Sequence, residues 1–266
     1  MAKPDIIPKH ILFCHCGGQR ISPELLRAVD IHLEKLPVHV TRFSDLCGVL
    51  VEKRELVRDL FTANTEYLVI GCSLRTMNLL FDQTREDSDT PVTFSHINMI
   101  DLSSDEVFDR INAFCSNYKS NAVYTEIAAD PGWPSWYPII DYGRCTACGQ
   151  CAEFCLFGVY QITEGNVRVV NPQECKNNCP ACARICPSTA IVFPKYVDGG
   201  AIGGSDDIDE DAEHQRQVKD IEKCLGDDIF SALERRRGLR QSIIREEAMK
   251  KAISERNDAL SAKNET

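Results

Sequence analysis

The sequence predicts an α/β domain with a small parallel sheet over about residues 8–120, then a compact cysteine-rich module at 137–196, then a helical tail over 214–266. Three observations carry this. Up to about residue 120, apolar runs of strand length alternate with amphipathic stretches of helical length, which implies a parallel sheet with helices on its faces. Eight of the 14 cysteines fall between Cys145 and Cys186. The tail is rich in Glu, Lys, Arg, Ala and Leu and holds no proline, the composition of long helices.

The elements of the first domain follow in order. Ile11–Cys14 reads as a strand, Pro23–Leu36 as a helix and Val38–Phe43, with its alternating character, as a second strand. Glu52–Ala63 reads as a helix with Leu56, Val57 and Leu60 on one face. Tyr67–Ile70 is a short strand ended by Gly71, and Val92–Ile100 is a further strand. Asp105–Tyr118, capped by Ser103 or Ser104, is the last helix. Residues 121–136 form a connector whose prolines break the periodicity and whose Trp133 and Trp136 are expected to be packing anchors. Residues 197–213, glycine-rich and then acidic, are expected to be a flexible linker. In the tail, an imperfect apolar stripe from Ile229 to Ile253 is interrupted by Arg235, Arg236, Arg237 and Arg240, and reads either as a solvated helix or as a partner-docking arm.

The totals narrow the function. A chain of 266 residues favours two domains, and 43% hydrophobic residues suffice for a core. A net charge of -10 and a pI near 5.1 argue against nucleic acid as a partner. Neither a signal segment nor an apolar run of about 18 residues is found, so no membrane span is expected. Abundant cysteine without an export signal belongs in a reducing compartment, where clustered thiols serve metals; the expected location is cytoplasmic.

In the module, Cys145-x2-Cys148-x2-Cys151-x3-Cys155 is repeated in design by Cys175-x3-Cys179-x2-Cys182-x3-Cys186-Pro187. The first three thiols of each run can reach three irons of one cubane, while the fourth points elsewhere. Structural zinc is the rival reading, but such triplets oversupply thiolates for one tetrahedral ion. The two runs, together with Ile139-Ile140-Asp141, Val167–Val170 and Cys186-Pro187-Ser188-Thr189-Ala190-Ile191, resemble the bacterial-type two-[4Fe-4S] ferredoxin family over residues 137–196. The resemblance implies an α+β fold and cross-ligation. One cluster would take Cys145, Cys148, Cys151 and Cys186, and the other Cys155, Cys175, Cys179 and Cys182. Leu156, where a proline commonly follows the fourth cysteine, and the extra residue between Cys175 and Cys179 depart from the family pattern.

Cys14-His15-Cys16-Gly17-Gly18, Cys47-Gly48 and Gly71-Cys72-Ser73 each follow a strand. The carboxyl edge of an open α/β sheet is where ligands bind, so these thiols can converge there; buried free thiols are the alternative. Phe13-Cys14-His15-Cys16-Gly17, the cysteine after the second strand and Gly71-Cys72-Ser73-Leu74-Arg75-Thr76 resemble the N-terminal domain of the flavin-bearing heterodisulfide reductase family, with Leu74 replacing a proline. That likeness implies Cys14, Cys16, Cys47 and Cys72 as candidate ligands of a third [4Fe-4S] cluster and a flavin-containing reductase among the partners. Cys115 shares a helix face with Phe108, Ile111 and Phe114 and is expected in the core; Cys224 is unassigned. No dinucleotide fingerprint, P-loop, nucleophile elbow or zincin motif is present. The expected protein is therefore an iron–sulfur electron-transfer subunit serving redox partner proteins rather than a stand-alone enzyme. The alternatives are a thiol/disulfide or flavin-linked reductase of the heterodisulfide reductase type, and a sensory or structural iron–sulfur protein with a docking tail.

Overall fold

Residues 7–84 and 93–225 are described by the computed structural model. The chain divides into two compact units, 1–213 and 214–266. The first begins with β1 (Lys9–Cys14), whose Ile11, Leu12 and Phe13 are all buried, as a central parallel strand covered on both faces requires. Helix α1 (Pro23–Leu33) starts where Ser22 Oγ accepts the Leu25 N–H at 3.1 Å and proline occupies the first turn. Then come β2 (His39–Phe43), α2 (Leu46–Glu52), α3 (Arg54–Arg58), β3 (Glu66–Gly71), α4 (Leu74–Asp82), β4 (Ser95–Asn98), α5 (Ser104–Cys115) and β5 (Tyr124–Ile127). The capping box of Ser103 and Glu106 opens α5. All five strands are parallel, in the order β4-β3-β1-β2-β5.

Side-chain alternation along β1 sorts two cores. Ile11 and Phe13 pack with Leu26, Val29 and Leu33 of α1 and Val107 and Ile111 of α5. Leu12 and Cys14 face the other way, onto Leu46, Val49 and Leu50 of α2 and Met77 and Leu80 of α4. This second layer differs from expectation. The helix expected over Glu52–Ala63 is only the short α3, set off from α2 at Lys53, and Leu56 is 52% exposed while Val57 is buried. The apolar run Leu46–Val51 lies in a helix instead, directly after β2, with Leu46, Val49 and Leu50 buried in the core. The connector also supplies β5, an edge strand whose short Tyr124–Ile127 run was hidden beside the proline- and tryptophan-rich stretch.

The cysteine-rich half contains α6 (Gln150–Phe154), α7 (Ala181–Arg184) and two antiparallel pairs: β6 (Ile139–Ile140) with β9 (Ile191–Val192), and β7 (Tyr160–Thr163) with β8 (Asn166–Val169). Trp136 stacks on Phe193 at 5.1 Å inside its core. Helix α8 (Glu210–Leu225) begins the tail, and the rest of the expected helical tail lies outside the described residues.

Both halves belong to one compact unit; Tyr137, Ile139 and Val192 pack into the core beside α2 and α4, and polar contacts flank them. Arg75, in the first turn of α4, reaches Asp141 with Nε at 3.1 Å and Nη2 at 3.0 Å, and also donates to the Ala201 and Thr189 carbonyls. The glycine-rich start of the expected linker is packed here: Ala201 and Ile202 are buried, and Ser73 Oγ donates to the Gly204 carbonyl. Gly204 sits at φ +81°, and a Cβ there would lie 2.0 Å from Thr76 Oγ1, so only glycine fits.

Two outcomes follow for stability. Arg75→Ala leaves the largely buried Asp141 without its cation and is expected to cost about 3–5 kcal/mol, read as a lowered denaturant midpoint of the anaerobic protein. His10 bonds Thr41 Oγ1 at 2.9 Å, and burial, then His39, lowers its pKa to about 4. Because an unfolded histidine protonates near 6.5, stability falls as pH drops from about 6.5 toward 4. His10→Gln should flatten that slope, checked by urea midpoints from neutral pH down to about 5.

Candidate metal centre

The first cysteine run winds onto α6 through two left-handed residues, Ala147 at φ +55° and Gly149 at φ +78°. This tight path brings Cys145, Cys148 and Cys151 to one cavity, and the turn after α7 adds Cys186 to the same wall. Ile140, Val167 and Ile191 supply the apolar lining. The Ala190 N–H points at Cys186 Sγ from 3.3 Å. Cys148 is exposed, whereas Cys151 and Cys186 are buried. Burial is the main cause that pushes the Cys151 thiol up to about 11, and the neighbouring Cys186 and Cys145 push in the same direction.

Cys155 closes α6 and leaves that cavity for the second run. Cys175 is pushed up to about 12 by burial and then by Cys179 and Cys155, and Cys182 to about 12 by burial with Cys175 and Cys155 acting on it. Tyr160 on β7 donates its hydroxyl to Cys182 Sγ at 3.0 Å. Thiols with such raised pKa values keep their protons at neutral pH unless a cation replaces them, which is what iron does on binding. Among the described residues no three or more Cys, His, Asp or Glu side chains close on a single-ion site. Four thiols lining one apolar cavity are the donor set that a cubane takes, and a cluster bound there would supply reversible one-electron chemistry.

The N-terminal cysteines also gather. Cys14 ends β1, Cys16 lies in the following loop, Cys47 is in the first turn of α2 and Cys72 precedes α4. The Cys14 thiol donates to Cys16, which also accepts the Gly18 N–H at 3.2 Å; both bonds help hold Cys16 below the ordinary thiol pKa. Cys47 is pushed well up, first by burial and then by Asp45, and Cys72 is pushed up to about 12 by burial and Cys16. Cys115 stays in the opposite core with Val107 and Ile111. His15 turns toward Phe13, with ring centroids 5.9 Å apart. Three participants had no signal in the sequence: Asp45, Lys195 from the cysteine-rich half, and Tyr137, whose hydroxyl donates to the Cys47 carbonyl at 3.0 Å. Ser73, Arg75 and Thr76, which belong to the reductase-like motif, are occupied in holding Gly204 and Asp141.

A small module of two antiparallel strand pairs and two short helices, with cysteines around an apolar cavity, defines an iron–sulfur protein of the ferredoxin class. Residues 138–158 match the 4Fe-4S binding domain, and through this segment the chain belongs to the 4Fe-4S ferredoxin family. The chain is 49% identical over 61 residues to an uncharacterized ferredoxin of Methanocaldococcus jannaschii, covering 23% of this chain and 42% of that protein. It is 34% identical over 59 residues to pyruvate synthase subunit PorD of the same organism, covering 22% of this chain and 67% of that subunit. The chain thus spans less than half the length of the first of these relatives. No solved structure matches it. Among the described residues no helix is long and apolar enough to cross a membrane.

Hydrogen bonds to sulfur help set a cluster's potential. Tyr160→Phe, which removes the bond to Cys182, should leave iron content unchanged and shift a cluster midpoint negative, as read by redox-poised EPR. Cys151→Ser should lower both bound iron and acid-labile sulfide.

Proposed function

We propose that this chain is an electron-transfer subunit that passes single electrons through two [4Fe-4S] clusters, with a third in the N-terminal α/β domain. Cys145, Cys148, Cys151 and Cys186 would hold the first cluster, and Cys155, Cys175, Cys179 and Cys182 the second. Cys14, Cys16, Cys47 and Cys72 would hold the third. The observation that carries the reading is the convergence of the first four on one apolar cavity inside a segment of the ferredoxin family. Support for the third is that Cys14, Cys47 and Cys72 share one buried core against which Cys16 packs, and that Cys14, Cys16, Cys47 and Cys72 act electrostatically on one another. In functional terms we divide the first unit into an α/β domain over 8–120 and a two-cluster domain over 137–196.

Electrons would enter or leave near Cys155. Leu156 beside it is 91% exposed, and Phe154 and Phe157 are half-exposed, so an apolar face is open to a partner at that ligand. The partner would be a redox enzyme. Likeness to a pyruvate synthase subunit favours an oxidoreductase that releases electrons from its substrate, and the resemblance of residues 10–85 to the heterodisulfide reductase family favours a flavin-containing reductase. The working compartment would be the reducing cytoplasm.

A second reading rests on the Cys14–Cys16 hydrogen bond and the lowered pKa of Cys16, which suit a redox-active dithiol in a reductase. Iron counting separates the two. About twelve irons per anaerobically reconstituted chain, falling to about eight in Cys72→Ser, is expected for three cubanes. About eight in the wild type, with Cys14 and Cys16 open to alkylation, favours the dithiol instead. Zinc in place of iron would overturn the electron-transfer reading altogether.

A further inference from the structure

We propose that Lys195, contributed by the cysteine-rich half, sets the charge and hence the reduction potential of the N-terminal cysteine site. This rests on the reading that Cys14, Cys16, Cys47 and Cys72 hold a cluster. Lys195 follows β9, yet its side chain, 9% exposed, runs into the α/β half. There it forms an ion pair with Asp45 and donates to the Pro134 carbonyl at 2.6 Å. The N-terminal loop leaves room for it: a Cβ on Gly18 would lie 3.4 Å from Lys195 Cγ and 3.2 Å from Cys16 Sγ. A side chain at that position would therefore crowd both groups.

Asp45 occupies the N-cap position of α2, where a carboxylate ordinarily accepts a backbone N–H, but it makes no cap bond. Its Oδ2 is committed to Lys195, and its Oδ1 is buried with no hydrogen-bond partner among the described residues. A carboxylate in that position next to thiolates is unfavourable by itself, and Lys195 is the cation that meets it. The charged groups acting on this site are Asp45, Lys195 and, toward Cys72, Arg20.

The sign of the effect follows from charge. Four thiolates outweigh the iron–sulfide core, so the centre is negative and becomes more so on reduction. A buried ammonium stabilises the reduced form more than the oxidised form and raises the potential, while a buried carboxylate does the opposite. Lys195 is thus a positioning residue: it ligates nothing, and it orients the carboxylate that acts on Cys16 and Cys47 while offsetting that carboxylate's charge.

The test uses the full chain, reconstituted anaerobically, with the N-terminal signal identified as the EPR feature lost in Cys72→Ser. In redox-poised titrations, Lys195→Gln is expected to move that midpoint negative and Asp45→Asn to move it positive. The double variant should return it toward the wild-type value, and the remaining midpoints should stay in place. Single variants that shift in the same direction, shift every centre alike, or shift nothing overturn the proposal. If Lys195→Gln does not assemble the centre, Lys195→Arg must restore it, and failure of that rescue also overturns the proposal. About eight irons in the wild type refutes the third cluster and this role together, whereas about twelve with unmoved midpoints refutes the role of Lys195 alone.

Discussion

A thiolate buried against an apolar wall is unfavourable unless a cation meets it, and this constraint organises the molecule. Cys151, Cys175, Cys182 and Cys72 all have pKa values pushed up, with burial as the first cause. In the cysteine-rich half the elements around them are slight: two-residue strands β6 and β9 and helices of five and four residues. A segment of about sixty residues with so little regular structure needs a staple beyond its own core. Iron bound by thiolates would supply it, so that the groups proposed to carry electrons would also hold the fold.

The second organising feature is the junction between the halves. Arg75, Ser73, Tyr137, Asp45 and Lys195 form a band of polar contacts around the carboxyl edge of the parallel sheet. Each joins a residue near an N-terminal cysteine to one in or beside the cysteine-rich half. Tyr137, Ile139 and Val192 also enter the α/β core, so moving either half would both expose apolar surface and strand buried polar atoms. Cys175, packed against the same core as Cys14, Cys47 and Cys72, sits at the shared border.

Much of the α/β half was legible because parallel strands buried on both faces read as unbroken apolar runs, as in Ile11–Cys14 and Tyr67–Ile70. A serine cap at Ser103 or Ser104 was legible because capping is local, and the structure settles on Ser103, paired with Glu106 in a capping box. Errors arose where tertiary contact overrode local pattern. The run Leu46–Val51 is helical because β2 delivers it to the sheet face, and β5 is a strand because β2 offers it an open edge. Glycines 199–204 looked like a linker by composition, but their lack of side chains serves close packing against Thr76 and Arg20.

By itself, the sequence determined the chemistry: the spacing of eight cysteines is a local property of the chain, and spacing decides which sulfurs can share a cubane. It also determined that cysteines follow three of the strands, at Cys14 and Cys16, at Cys47 and at Cys72. The grouping of Cys186 with Cys145, Cys148 and Cys151 was implied by resemblance and not by spacing, and the tertiary structure brings the four to one cavity; that Lys195 reaches Asp45 across 150 positions only the tertiary structure decided. Contacts at that separation leave no periodic trace, because they are fixed by how two packed surfaces meet and not by any repeat along the chain.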